Sequence, residues 1–244
     1  MISAWLAWLA MAAPATLKAS DTTALTAEAW GKGAHGVVLV HAEGGSHADW
    51  GGFGSRLATQ NIASLAVNLR GHGGSSGSAA TDADFTAMVQ DVSAAAAWLR
   101  TKGCATISVI GAGHGGLVGL AAAKTDPGIR DVALLSPKPN SHGLLLRELA
   151  TGFNRPLLAA AGLDEALAAK SATLVGELVA GPHHLALLDA DGSGAKLLNT
   201  DADFENVLIA WINGTLVPSG EAGLAPVQPM LAPLESTGTR LEDR

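Results

Sequence analysis

Along most of its length the chain alternates short runs of apolar and β-branched residues with longer stretches in which apolar positions recur every three or four residues. Residues 16–20 and 24–30 flank Asp21-Thr22-Thr23 and predict a hairpin. The run "GVVLVH" at 36–41 is continuously apolar, as a strand buried on both faces must be. A helix over 51–60 precedes a strand over 62–68. Phe85, Met88, Val89, Val92, Ala96 and Leu99 then form one helical stripe, with Asp82 as its N-cap and Gly103 as its stop. The strand "ISVIG", a helix over 116–125, the strand "VALLS", a short helix around 143–150 and the strand "RPLLAAA" follow. A helix over 164–180, the strand "HLALLD" and a last helix over 203–213 complete the series. Strands alternating with helices imply βαβ crossovers, so the expected fold class is α/β: a mainly parallel sheet of about eight strands with helices on both faces. About twenty residues separate "VALLS" from "RPLLAAA", too few for a large lid domain. The two "DAD" tripeptides, at 82–84 and 201–203, put carboxylates where helices begin and favour the positive end of the helix dipole.

With 244 residues, 48% of them hydrophobic and 15% charged, the chain suits one large domain with a sizeable core. Its net charge of -7 and its fifteen scattered basic residues exclude nucleic acid and anionic membrane surfaces as expected partners. The single cysteine, Cys104, permits no internal disulfide and no cysteine-based metal site, and its place before an apolar strand predicts a buried, inert thiol. Residues 1–14 carry an apolar run of signal-peptide length followed by small residues at Ala13 and Ala15, but the first positive charge is Lys18. They read either as a signal peptide or as an ordered N-terminal apolar segment, which leaves export to the periplasm and a cytoplasmic location both open. The run is too short to cross a bilayer, so no transmembrane segment is expected. Residues 214–244, rich in Pro, Gly and small polar residues, are expected to be a disordered or loosely attached tail, leaving 15–213 as the folded domain.

Five segments in order resemble the α/β-hydrolase family of serine esterases and lipases, over about residues 16–213. "VVLVHAEGG" resembles the strand and loop that supply part of its oxyanion hole, and "NLRGHGGS" its Arg-Gly-His-Gly turn. "VIGAGHGG" is similar to the nucleophile elbow, "RPLLAAAGLD" to the acid-bearing strand and turn, and "LALLDADGSGAKLL" to the segment that carries the catalytic histidine. The elbow's Gly-x-Ser-x-Gly frame reads Gly111-Ala112-Gly113-His114-Gly115 here, so the resemblance puts Gly113 at the nucleophile position. It puts Asp164 at the acid position, where an aspartate that starts a helix can equally be an N-cap. Aligning strand with strand puts Ser193 at the histidine position. The oxyanion pocket would be lined by Ala42, Glu43, Gly44 and His114, the last through its backbone N–H, and an ionised Glu43 there would oppose a developing oxyanion. Loss of triad members leaves roughly 10³–10⁴-fold acceleration over water, so efficient ester hydrolysis is not expected.

The resemblance therefore implies a pseudo-hydrolase that keeps the scaffold and binds a small-molecule ligand or a protein partner, with no cofactor and no metal. An alternative keeps enzymatic chemistry: His184, twenty residues after Asp164, would pair with it as a dyad and use water, or abstract a proton, without a serine. A purely structural or interaction protein is a third reading. His41 and His72 match turn histidines that fix loops by hydrogen bonding. His183, His184, Asp189 and Asp191 lack a metal-ligand spacing. Ser75, Ser136 and Ser141 have no recognisable partner base in the sequence, without which a serine is a poor nucleophile.

Overall fold

The computed structural model describes residues 12–216, so the expectations for residues 1–11 and for the tail beyond 216 lie outside the described residues. Eight strands form one sheet in the order β1-β2-β4-β3-β5-β6-β9-β10. They are β1 (Ala13–Lys18), β2 (Ala24–Trp30), β3 (His35–Val40), β4 (Ala63–Val67), β5 (Thr106–Ala112), β6 (Ile129–Leu135), β9 (Leu157–Gly162) and β10 (His183–Leu188). β1 and β2 form the predicted antiparallel hairpin, β2 runs antiparallel to β4, and every pair from β4 to β10 is parallel. β1 begins at Ala13: Ala13 pairs with Ala29 and Ala15 with Ala27, so the small residues read as a cleavage site are strand residues.

Alternation within the parallel strands explains the continuous apolar runs. On β3, Val38 and Val40 point into one core layer and Val37 and Leu39 into the other. The first layer packs under α2 (Asp82–Thr101), α3 (His114–Thr125), α4 (Leu146–Ala150) and α5 (Ala166–Leu178). The second packs under α1 (Gly51–Thr59), α6 (Leu197–Thr200) and α7 (Ala202–Ile212). This is the α/β-hydrolase fold, with helices on both faces and, among the described residues, no large lid.

Three local readings change. The cap of α2 is Thr81, whose hydroxyl accepts from the Asp84 N–H while Asp84 answers the Thr81 N–H; Asp82 is the first helical residue. The stretch read as one short helix around 143–150 begins as a small hairpin, β7 (Asn140–Ser141) against β8 (Leu144–Leu145), and only then becomes α4. Its two-residue turn, His142-Gly143, has φ 51 and 82, the left-handed pair that tight I′ hairpin turns demand. Asp164 does not cap α5: the cap residue is Glu165, and no side-chain cap bond is made.

Candidate active site

β5 ends at Ala112, and the chain reverses at once into α3 with Gly113 as the cap residue at φ 51 and ψ -115. This is the sharp strand-to-helix turn of a nucleophile elbow, held in a conformation that costs an L-residue about 1–2 kcal/mol and glycine nothing. The Gly113 N–H donates to the Leu135 carbonyl at 2.9 Å, which ties the apex to the end of β6. A Cβ at Gly113 would have Ala42 Cβ at 3.6 Å and Lys138 Cε at 4.0 Å, so space for a side chain exists although none is present. Close packing decides the flanking glycines: a Cβ at Gly115 would lie 2.3 Å from the His41 carbonyl oxygen and 2.7 Å from that of Val40.

The β3 loop meets this apex from one side. His41 is fully buried; its Nε2 accepts from the Leu69 N–H at 3.0 Å, so Nδ1 carries the proton and donates to the Ala42 carbonyl at 2.7 Å. Burial pushes this imidazole down to about 4. His72 holds the Arg70 carbonyl in the same way, Nδ1 to oxygen at 2.9 Å, so both turn histidines fix loops. Gly44 turns the loop with φ 76, and Glu43 projects from it as an exposed carboxylate. Glu43 receives Lys138 Nζ at 3.4 Å and His142 Nε2 at 3.2 Å. Partial burial pushes its pKa up, but these two hydrogen bonds outweigh that and hold it below the ordinary carboxylate value. A negative charge therefore stands beside the position where the family gathers oxyanion donors.

His114, the residue after the apex, is buried against the edge of Phe85, and its Nδ1 lies 3.0 Å from Ser141 Oγ. Burial, then the neighbouring His142, push it down to about 4, and its Nε2 is buried without a hydrogen-bond partner among the described residues. Ser141 thus has a histidine neighbour that the sequence did not reveal. With no carboxylate on Nε2 and a depressed pKa, that imidazole is a weak base.

On the other side of the apex the acid and histidine loops are joined through Ser136. This residue follows β6 with φ 50, is buried, and donates its hydroxyl to Glu165 at 2.5 Å while accepting the Gly194 N–H at 2.8 Å. Gly194 follows Ser193 and packs onto Ala112, where an added Cβ would come within 2.9 Å of the Ala112 methyl. The loop after β10 therefore reaches the elbow. Ser193 and Asp164 are themselves exposed at its margin. Sequence reasoning named Ser136 only as a serine without a partner base and missed Glu165, which lies 29 positions further on. Ser75 is structural: it accepts from the Thr26 N–H at 2.9 Å and donates to the Asn68 carbonyl at 2.7 Å.

His184 is at the wrong end of the molecule for a dyad with Asp164. It is the second residue of β10, opposite Leu158, whereas Asp164 lies beyond Gly162, where β9 ends. Four strand steps, about 13 Å, separate those levels, so no hydrogen bond joins the pair. His184 instead lines a hollow of about 320 Å³ at the opposite sheet edge with Arg130, Asp131, Pro156, Pro182 and Trp211. Near it, His35 Nε2 lies 2.8 Å from the fully buried Ser108 hydroxyl, and Ser108 pairs across the sheet with Asp131. The types match a triad, but serine sits in the middle and is sealed from solvent, so the row is a structural network. Among the described residues no helix is long and apolar enough to cross a membrane.

Comparison with known proteins agrees with this geometry. The family model described as serine aminopeptidase, S33 (Hydrolase_4) matches residues 32–192, about two thirds of the chain. No curated protein sequence matches the chain significantly. Among solved structures, the esterase Pf2001 of Pyrococcus furiosus superposes with a TM-score of 0.67 at 15% identity, covering 84% of this chain and 92% of its own. The esterase EaEST of Exiguobacterium antarcticum gives 0.65 at 15% identity, covering 81% and 98%. A dienelactone hydrolase from Anabaena variabilis gives 0.67 at 13% identity, covering 85% and 99%.

Proposed function

The chain belongs to the serine aminopeptidase S33 family of α/β hydrolases, and we propose that within it this protein no longer performs acyl-serine chemistry and serves instead to bind a small ligand or a protein partner at the elbow. The observation that carries the reading is Gly113: the backbone takes the elbow conformation, the space above it accepts a side chain, and the apex residue has none. Without an oxygen at that point no acyl intermediate forms there. Ser193 at the histidine position, and the ionised Glu43 beside the oxyanion position, support the same reading independently.

The test is the initial rate of p-nitrophenyl butyrate hydrolysis by the unmodified protein and by the Gly113→Ser, Ser193→His double variant. The unmodified protein is expected to stay at the buffer rate. The double variant is expected to gain about a hundredfold, well short of a mature triad, because Asp164 is exposed and nothing orients the new imidazole. Turnover by the unmodified protein that the double substitution does not raise would sink the proposal. A second reading rests on one distance, the 3.0 Å between Ser141 Oγ and His114 Nδ1, which would make these residues nucleophile and base. It predicts that Ser141→Ala abolishes activity in the unmodified protein; the depressed pKa of His114 and the burial of both side chains weigh against it.

A further inference from the structure

His142 has a carboxylate at each ring nitrogen: Asp82 Oδ1 lies 2.9 Å from Nδ1 and Glu43 Oε1 lies 3.2 Å from Nε2. An ionised carboxylate only accepts, so both contacts are hydrogen bonds only when both ring nitrogens carry protons. In the neutral imidazole one nitrogen would turn its lone pair toward a negative oxygen, and that contact would become repulsive. The ring is placed for this role by its surroundings. The I′ turn between β7 and β8 projects it, and Phe85 of α2 stacks on it with 3.5 Å between centroids and 4° between planes. His114 of α3 stands edge-on at 5.5 Å and is neutral near pH 7, so it adds no charge. From the loop after β6, Lys138 holds the second Glu43 oxygen at 3.4 Å. Since Lys138 Cε is 4.0 Å from where a Gly113 side chain would begin, the sequence Asp82, His142, Glu43, Lys138 crosses the mouth above the apex.

We propose that these four residues form a proton-operated clasp over the elbow. As an imidazolium, His142 ties the β7–β8 turn to the start of α2 and to the β3 loop, and so keeps Glu43 and Lys138 across the mouth. Loss of one ring proton to solvent releases one carboxylate and opens the mouth to a ligand. The regulatory role rests on the reading of the elbow as the binding site; the clasp itself is a property of the chain alone. The hydrogen bond with Asp82 raises His142, partial burial works against it, and Glu43 raises it further, so release falls above pH 6.5.

The test uses a reporter thiol at the apex together with NMR of the ring. In Gly113→Cys, the iodoacetamide rate constant per thiolate is expected to rise about two- to fivefold through the pH interval in which the His142 Cε1–H resonance titrates, the weight of one partly exposed ion pair. The native thiol, Cys104, is buried and contributes little background. Adding Glu43→Ala is expected to leave the rate at its high value at every pH and to bring His142 toward the ordinary imidazole range. A per-thiolate rate that stays flat through the His142 titration would overturn the clasp. If Gly113→Cys does not fold, the ring titration in the unsubstituted chain decides: an apparent pKa below 6.5, or one that Glu43→Ala leaves unmoved, overturns it as well. Neither readout involves an ester or a ligand, so the clasp and the loss of acyl-serine chemistry stand or fall separately.

Discussion

The protein is expected to unfold as the pH falls from 6 to about 4.5, because the buried His41 and His114 and the half-buried His35 must stay neutral for the fold to hold. His35, His41 and His114 are each pushed down to about 4, with burial as the first cause. A histidine whose folded pKa lies below its unfolded value contributes stability that is complete above about pH 6.5 and is lost as the pH falls through the folded value. The loss is about 2 kcal/mol by pH 5 and about 3 by pH 4 for each of the two buried rings, and less for His35, which solvent partly screens. His41 gives the effect a geometric basis, since protonating Nε2 breaks its bond from the Leu69 N–H. Asp131 opposes them, since burial pushes it up to about 6 and its protonation between pH 7 and 5 returns roughly 1 kcal/mol; Asp91, which burial also raises, acts in the same direction. The balance still favours unfolding, because a domain of this size holds only about 5–15 kcal/mol in all. Urea melts at half-unit pH steps measure it directly. His114→Phe is expected to flatten the slope of stability against pH by about one proton; an unchanged slope would mean that this histidine is protonated without cost.

Gly115→Ala is expected to destabilise the protein by at least about 4 kcal/mol, and Gly113→Ala, two residues earlier, by only about 1–2 kcal/mol. The added methyl at 115 would collide with two backbone carbonyls, at 2.3 Å and 2.7 Å, on the strand that carries the β3 loop. Backbone cannot rotate away as a side chain can, so α3 would have to lift off the sheet. At 113 the methyl meets nothing closer than 3.6 Å, and its cost is the left-handed φ alone. Chemical denaturation of both variants separates the cases. Equal losses would show that the elbow's glycines are there for backbone freedom and not for close packing.

The difference between these glycines marks what could be read in the chain and what could not. The continuous apolar runs of β3, β5, β6 and β9, separated by helical stripes, made the parallel sheet legible, because burial on both faces leaves no other composition for such strands, but not the order of its strands. The elbow was legible for the same reason: an apolar strand that runs into glycines and then an apolar helix has few other solutions. Of the charged groups over it only Glu43 was, since Asp82 at the start of α2, Lys138 after β6 and His142 in the β7–β8 turn join it only in the folded chain. The same holds for Ser136 and Glu165, joined only once β6 and β9 lie side by side. His184 was misplaced as an alternative base because spacing after Asp164 carries no information about which end of a strand a residue occupies; the register does. The β7–β8 hairpin was hidden within a leucine-rich run whose helical character begins only after the His142-Gly143 turn.

Intact-mass spectrometry after incubation with diisopropyl fluorophosphate tests the central claim most directly, because the reagent phosphorylates an activated serine, with loss of fluoride, whatever its natural substrate. The unmodified protein is predicted to keep its mass, and the Gly113→Ser, Ser193→His variant to gain one adduct at position 113. An adduct on the unmodified protein, at Ser141, Ser136 or any other serine, would contradict the account and show that the chain retains an acyl-transfer nucleophile away from the apex.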